Sequence, residues 1–116
     1  MLNQGDVVLI PIPYTDLTTT KKRPVLILSN NKYNQSTEDI IVAAITSNIN
    51  DKFYAVKITN NDMEQGELLR ESCVRADKLY TLSKSKIIKN FGTVKSKTIQ
   101  VVINKIFSVF EQENPI

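Results

Sequence analysis

The stretch Pro24-Val25-Leu26-Ile27-Leu28-Ser29 most narrows what this chain can become. It is short and almost continuously apolar, so it reads as a strand with both faces buried, as in the core of a barrel or sandwich. Lys21-Lys22-Arg23 lead into it. A residue before proline is biased to extended geometry. Arg23 is therefore a cation fixed at the mouth of a rigid strand, suited to clamp phosphate. The competing reading is a solvated arginine in a basic turn.

The rest of the chain fits an all-β core closed by one helix. Residues 5–12 form a first strand, whose Pro11 and Pro13 make it end there or lie at an edge. Residues 14–22 suit a polar loop, and 30–36 and 48–51 are turn material. Further strands are expected over 39–47, 53–58, 71–77 and 90–94, with a loop over 60–66. Ser83 can cap a helical turn over 84–89. From residue 97 the period changes: Ile99, Val102, Ile103, Ile106, Val109 and Phe110 recur at three- and four-residue spacing, an amphipathic helix over 97–112 with Ser96 as its cap. The expected fold is mainly β with a C-terminal α-helix, a small, strongly bent barrel or sandwich forming one domain over 1–116.

Composition excludes several chemistries. Cys73 is the one cysteine and histidine is absent, so an internal disulfide and the usual zinc sites are ruled out. Any phosphodiester chemistry must use carboxylates, arginine, lysine, tyrosine or hydroxyls. The formal net charge of +3 mildly favours a polyanionic partner. No N-terminal apolar region or membrane-length apolar run is present, so the expected location is the cytoplasm, with no membrane partner.

Four places could carry chemistry. Arg23 is one. Thr46-Ser47 ends an apolar strand, where two hydroxyls could bond a phosphate or a base edge, or simply satisfy the turn backbone. Arg75 and Asp77 are two apart on a strand and share a face. They are either a proton acceptor beside a charge stabiliser or an ordinary ion pair. Asp16 could reach Arg23 from the preceding loop, though loop aspartates commonly serve turns. Tyr14, Phe53 and Tyr54 could stack on bases or belong to the core. Cys73 shares the face of Arg75 and Asp77; it reads as packing, and its position alone keeps it among residues facing a ligand.

In order along the chain, Gly5-Asp6-Val7-Val8-Leu9, Pro13-Tyr14-Thr15-Asp16, Arg23-Pro24-Val25-Leu26-Ile27-Leu28-Ser29, Val42-Ala43-Ala44-Ile45-Thr46-Ser47 and Val74-Arg75-Ala76-Asp77 resemble the MazF/PemK toxins of bacterial toxin–antitoxin modules. The resemblance spans nearly the whole chain. It implies an SH3-like barrel of the plasmid-maintenance toxin type, a homodimer, and a metal-independent, cofactor-free endoribonuclease that cuts single-stranded RNA, often mRNA. The products would be a 2′,3′-cyclic phosphate and a 5′-hydroxyl, and a cognate antitoxin would block the site with an acidic segment. On that basis Arg23, Thr46, Arg75 and Asp77 are the catalytic candidates. Tyr14, Asp16, Lys21, Lys22, Ser47, Phe53 and Cys73 are the RNA-binding candidates. The loop before Arg23 lacks the Gly-Ser-Glu-Gln-like tract or histidine of many MazF members, which leaves its part in catalysis and the cleavage sequence open. Two rival functions share the fold: a gyrase-binding toxin working through the C-terminal helix, and an RNA binder that does not cut.

Overall fold

The structure is a computed structural model that describes residues 2–13, 20–50 and 53–113. Tyr14 and Asp16 lie outside the described residues, as does Asp51 at the end of the expected 48–51 turn.

Among the described residues seven strands form one antiparallel sheet: β1 (Asp6–Pro13), β2 (Thr20–Ile27), β3 (Asp39–Thr46), β4 (Ala55–Ile58), β5 (Met63–Gly66), β6 (Ser72–Ser83) and β7 (Lys89–Val94). The order across the sheet is β4-β6-β3-β2-β1-β7-β5. Helix α1 (Asn31–Ser36) follows β2, and α2 (Ser96–Phe110) closes the chain. No helix among the described residues is long and apolar enough to cross a membrane.

The apolar β2 is buried on both faces. Leu26 joins one core cluster with Val7, Ala43, Ile45, Val74 and Val102 of α2, while Val25 and Ile27 join a second with Val8, Ile10 and Val42. The two prolines of β1 sit where the strand is paired on one side. Its pairing with β2 runs to Pro13↔Thr20, while its pairing with β7 stops at Leu9. A missing N–H there faces no ladder partner.

The mainly β class with a C-terminal helix holds, but the barrel is not closed. Edge strands β4 and β5 do not pair. They are instead joined by a tight 3₁₀ turn, Asn60–Asp62, and Ile58 and Met63 enter the same core cluster. Thr59 and Asp62 cap that turn reciprocally. Asp62 also anchors α2: its carboxylate accepts from Thr98 Oγ1 at 3.0 Å and its carbonyl from the Lys95 amide at 2.7 Å. A carboxylate beside a helix N-terminus satisfies orphan amides and complements the dipole. The expected Ser96 cap is therefore displaced: Lys95 holds the cap position without a side-chain bond, and Ser96 is the first helical residue.

Other expectations need correction. Residues 20–22 belong to β2 rather than to a loop, since the register with β1 continues through Pro11↔Lys22. Residues 31–36 are helical because the Asn30 side chain accepts the Tyr33 amide at 2.8 Å. Residues 63–66 form β5 against β7, where Gly66 and Gly92 pass so closely that a Cβ on Gly92 would strike the Gln65 carbonyl. The helical turn after Ser83 spans only Lys84–Lys86. β4 starts at Ala55 because Tyr54, at φ 50°, breaks the extended backbone.

Candidate functional site

β6 carries the site through a bulge. Along β3 the pairing advances two residues, from Ala43 to Ile45, while along β6 it advances five, from Leu79 back to Val74. The excess, Arg75 to Lys78, is released from β3 but held from the other side, where β4 pairs Ala55↔Arg75. Bulges of this kind re-aim side chains and bend the strand. The Ala76 amide, between Arg75 and Asp77, donates to the Tyr54 carbonyl at 2.8 Å. Among the described residues Tyr54 is the only non-glycine with positive φ. Sparsely populated backbone of that sort persists where surrounding structure enforces it.

Within the bulge Arg75 grips Asp77 with two bonds, Nε to Oδ1 at 3.0 Å and Nη2 to Oδ2 at 2.9 Å. Both side chains are partly covered, at 22% and 25% exposure. The hydrogen bonds from Arg75 hold the Asp77 carboxyl below its ordinary range, and burial pushes the other way without overcoming them. A general base for the 2′-hydroxyl would gain from a raised pKa. Asp77 has moved in the opposite direction, so its clearest role is to fix the plane of the Arg75 guanidinium.

Arg23 lies on the same face. It pairs with Ile10; the β2–β3 pairing ends at Val25↔Ala44, and Arg23 lies two residues beyond that end, in the direction of Thr46. Thr46 pairs with Cys73, and Cys73 with Lys57. Paired residues point to one side of a sheet, so Arg23, Thr46 and Cys73 form a transverse row, with Arg75 two residues farther along β6. At about 4.8 Å per strand, Arg23 and Cys73 are about 10 Å apart, a gap that long arginine side chains span.

The row also sorts the remaining candidates. Thr46 is half-buried and its hydroxyl accepts the Asn48 amide at 3.1 Å, so it serves the turn while standing in the row. Ser47 is exposed and points to the other face. Lys21 alternates with Arg23 and shares its face, and Lys22 does not. Phe53 is 71% exposed and meets Tyr54 edge-on, with ring centroids 4.6 Å apart, where a base could stack. Cys73 must be corrected: it is 2% exposed, flanked by β3 and β4, and belongs to the packing.

Sequence reasoning missed a second feature beside this row. A cavity of about 210 Å³ opens next to Arg23, with Leu9, Leu68, Leu69 and Phe91 among its apolar walls. Ser47, Arg70 and Ser72 add polar groups to the lining. The available signal was Leu68-Leu69-Arg70, two large apolar residues and a cation between a loop and a strand.

Known proteins agree with this architecture. An endoribonuclease in complex with its cognate antitoxin, from a mycobacterial species, superposes with a TM-score of 0.75 at 23% identity, covering 99% of this chain and 100% of the other. MazF from Deinococcus radiodurans gives 0.74 at 21% identity over 94% of this chain and 96% of that one. The Mycobacterium tuberculosis toxin MazF-mt6 gives 0.73 at 20% identity over 93% and 98%. No curated protein sequence matches. At these identities the structures establish the fold. The sequence match over residues 3–110 goes further, and by it this chain belongs to the family of PemK-like, MazF-like toxins of type II toxin–antitoxin systems.

Proposed function

We propose that this toxin is an endoribonuclease that cleaves single-stranded RNA without a metal, by attack of a 2′-hydroxyl on the adjacent phosphate. The observation that carries the reading is the Arg75–Asp77 pair, presented by a bulge of β6 along the row of Arg23 and Thr46. In-line attack puts extra negative charge on the phosphate oxygens. Preorganised donors aimed at that charge are usually the largest catalytic contribution. Arg75, locked by Asp77, and Arg23 from two strands away supply them. Asp77 is ionised at neutral pH and takes the 2′-proton as a weak base. The departing 5′-oxygen collects a proton from water or from Arg75, giving a 2′,3′-cyclic phosphate and a 5′-hydroxyl. Dependence on the 2′-hydroxyl makes the enzyme selective for RNA over DNA.

Solved neighbours include an endoribonuclease with its cognate antitoxin and a MazE–MazF complex. Carried to this chain, they support a cognate antitoxin whose acidic segment covers the arginines. We also infer that the working form is a homodimer.

The test is incubation of the purified protein with a long single-stranded RNA in EDTA, beside Arg75→Ala and Asp77→Asn variants. Cutting by the parent, with 5′-hydroxyl ends and loss in both variants, is the expected result. One 2′-deoxy substitution at the cut site must block it. Intact RNA together with inhibited gyrase supercoiling would instead favour a toxin acting through α2, where Phe107 and Phe110 are 74% and 71% exposed. RNA retained but uncut would leave only a binding protein.

A further inference from the structure

We propose that the cavity beside Arg23 is a nucleotide subsite, holding one unpaired base of the RNA with its adjoining phosphate between Arg70 and Arg23. This rests on the RNA-cleaving reading above and adds where the strand is read.

The cavity's chemistry is that of a base rather than of a bare anion. Its walls are apolar, from Leu9, Leu68 and Phe91, with Leu69 at 82% exposure beside them. Unstacked bases bind apolar and aromatic surface by their faces and hydrogen-bonding groups by their edges. Ser47, exposed at the lining, is the edge partner, while the Ser72 hydroxyl is engaged by the Arg70 carbonyl. The volume, about 210 Å³, is below the roughly 300–1,000 Å³ of pockets that enclose drug-sized ligands, which suits a single ring system.

Arg70 supplies the charge. Among the described residues its guanidinium enters no ion pair or hydrogen bond. A planar fork of donors at the mouth of an apolar cavity matches a phosphate attached to a buried base.

The segment that carries these groups is held in place. The Leu68 amide donates to Asn60 Oδ1 at 2.7 Å, and the Glu67 amide to the Phe91 carbonyl at 3.2 Å. Ser72 Oγ donates to the Arg70 carbonyl at 3.1 Å. Arg23 belongs to the cavity lining, whereas Leu9, Ser47 and Ser72 alternate with the row residues and face the other side of the sheet, so Arg23 links the two and an RNA strand crossing it carries the bound base next to the scissile phosphate. The cavity therefore selects sequence beside the cut.

The experiment uses short single-stranded RNAs with one cleavage site, in which each flanking nucleotide is made abasic in turn. KM and kcat are measured for the parent, Leu69→Ala, Arg70→Ala and Arg70→Lys. Leu69 and Arg70 are exposed, and an unchanged thermal midpoint confirms folding. In the parent, one abasic position close to the cut raises KM roughly five- to hundredfold. Leu69→Ala and Arg70→Ala raise KM for the intact RNA, and the penalty at that one position disappears while penalties elsewhere remain. Arg70→Lys recovers part of the loss. A penalty pattern that is the same in parent and variants overturns the subsite, as does a loss confined to kcat. So does an effect of Arg70→Ala seen only on binding of an acidic antitoxin segment. If the parent neither cuts nor binds any RNA, the endoribonuclease reading falls and takes the subsite with it. That outcome is distinguishable because it needs no variant.

Discussion

Two carboxylates, one at the β1–β7 seam and one in the β6 bulge, are served in opposite ways. Asp6 is 2% exposed and surrounded by neutral donors: the Asn3 amide at 3.0 Å, Asn90 Nδ2 at 3.0 Å and Thr93 Oγ1 at 2.6 Å. Asp77 is a quarter exposed, and its largest partner is the forked guanidinium of Arg75. The first arrangement stitches the start of β1 to β7 and leaves no donor for a ligand. The second sets a partly exposed guanidinium, fixed by two hydrogen bonds, in the bulge. Fully satisfied burial holds the fold, whereas partial exposure beside a fixed cation is available for chemistry.

The sharpest way to break this contrast is Arg75→Ala. Loss of one preorganised donor to a developing oxyanion costs about 10²–10³ in kcat. RNA cleavage by the variant should fall by that much. Stability should change little, because a partly exposed ion pair contributes under about 1 kcal/mol. If cleavage survives within a few-fold, the bulge is not the reaction centre.

Asp6→Ala is the mirror experiment. It removes the shared acceptor of the Asn3 amide, Asn90 Nδ2 and the Thr93 hydroxyl, donors that are themselves half-buried or exposed, so each loss lies toward the low end of the roughly 1–3 kcal/mol of an unsatisfied buried group. With some relief from water, a net loss of about 2–4 kcal/mol is expected, a fall in thermal midpoint on the order of 10 °C. Cleavage per folded molecule, measured well below the midpoint, should stay near the parent's. A selective loss of activity without loss of stability would place Asp6 in the site and dissolve the contrast.

The sequence exposed these two regions unequally. Arg75 and Asp77 could be paired from it because two-residue spacing fixes a shared face in any strand. Arg23 could be placed because proline extends the residue before it. The same alternation gives the face of Cys73, but not that β3 and β4 flank the strand there and cover it. The length of β6 was underread since the bulge at 75–78 interrupts the alternation that would have joined 71–77 to Leu79–Ser83. β5 was invisible because Met63-Glu64-Gln65-Gly66 has no β-branched residue, and its strand geometry comes from pairing with β7. Helix α1 is too short for periodicity to register, and Arg70 became notable only once folding set it beside Arg23.

The smallest expected effect tests the bulge through its own electrostatics. Hydrogen bonds from Arg75 depress the Asp77 pKa in the folded chain below its ordinary value of about 3.9. The unfolded chain therefore binds a proton at Asp77 more readily than the folded chain does. The resulting stabilisation is fully present above the unfolded pKa and is lost as pH falls through the folded one. Partial exposure keeps it under about 1 kcal/mol. Denaturant unfolding of the parent and Asp77→Asn across pH 2 to 6 should give a stability difference that is constant at the upper end and shrinks below about pH 4. High salt should reduce the plateau, since the pair is not fully shielded from solvent. A difference that instead grows as the solution is acidified would mean that Asp77 has a raised pKa in the folded protein. It would then be a stronger base than the weak one proposed, and proton transfer rather than holding Arg75 would be its main role.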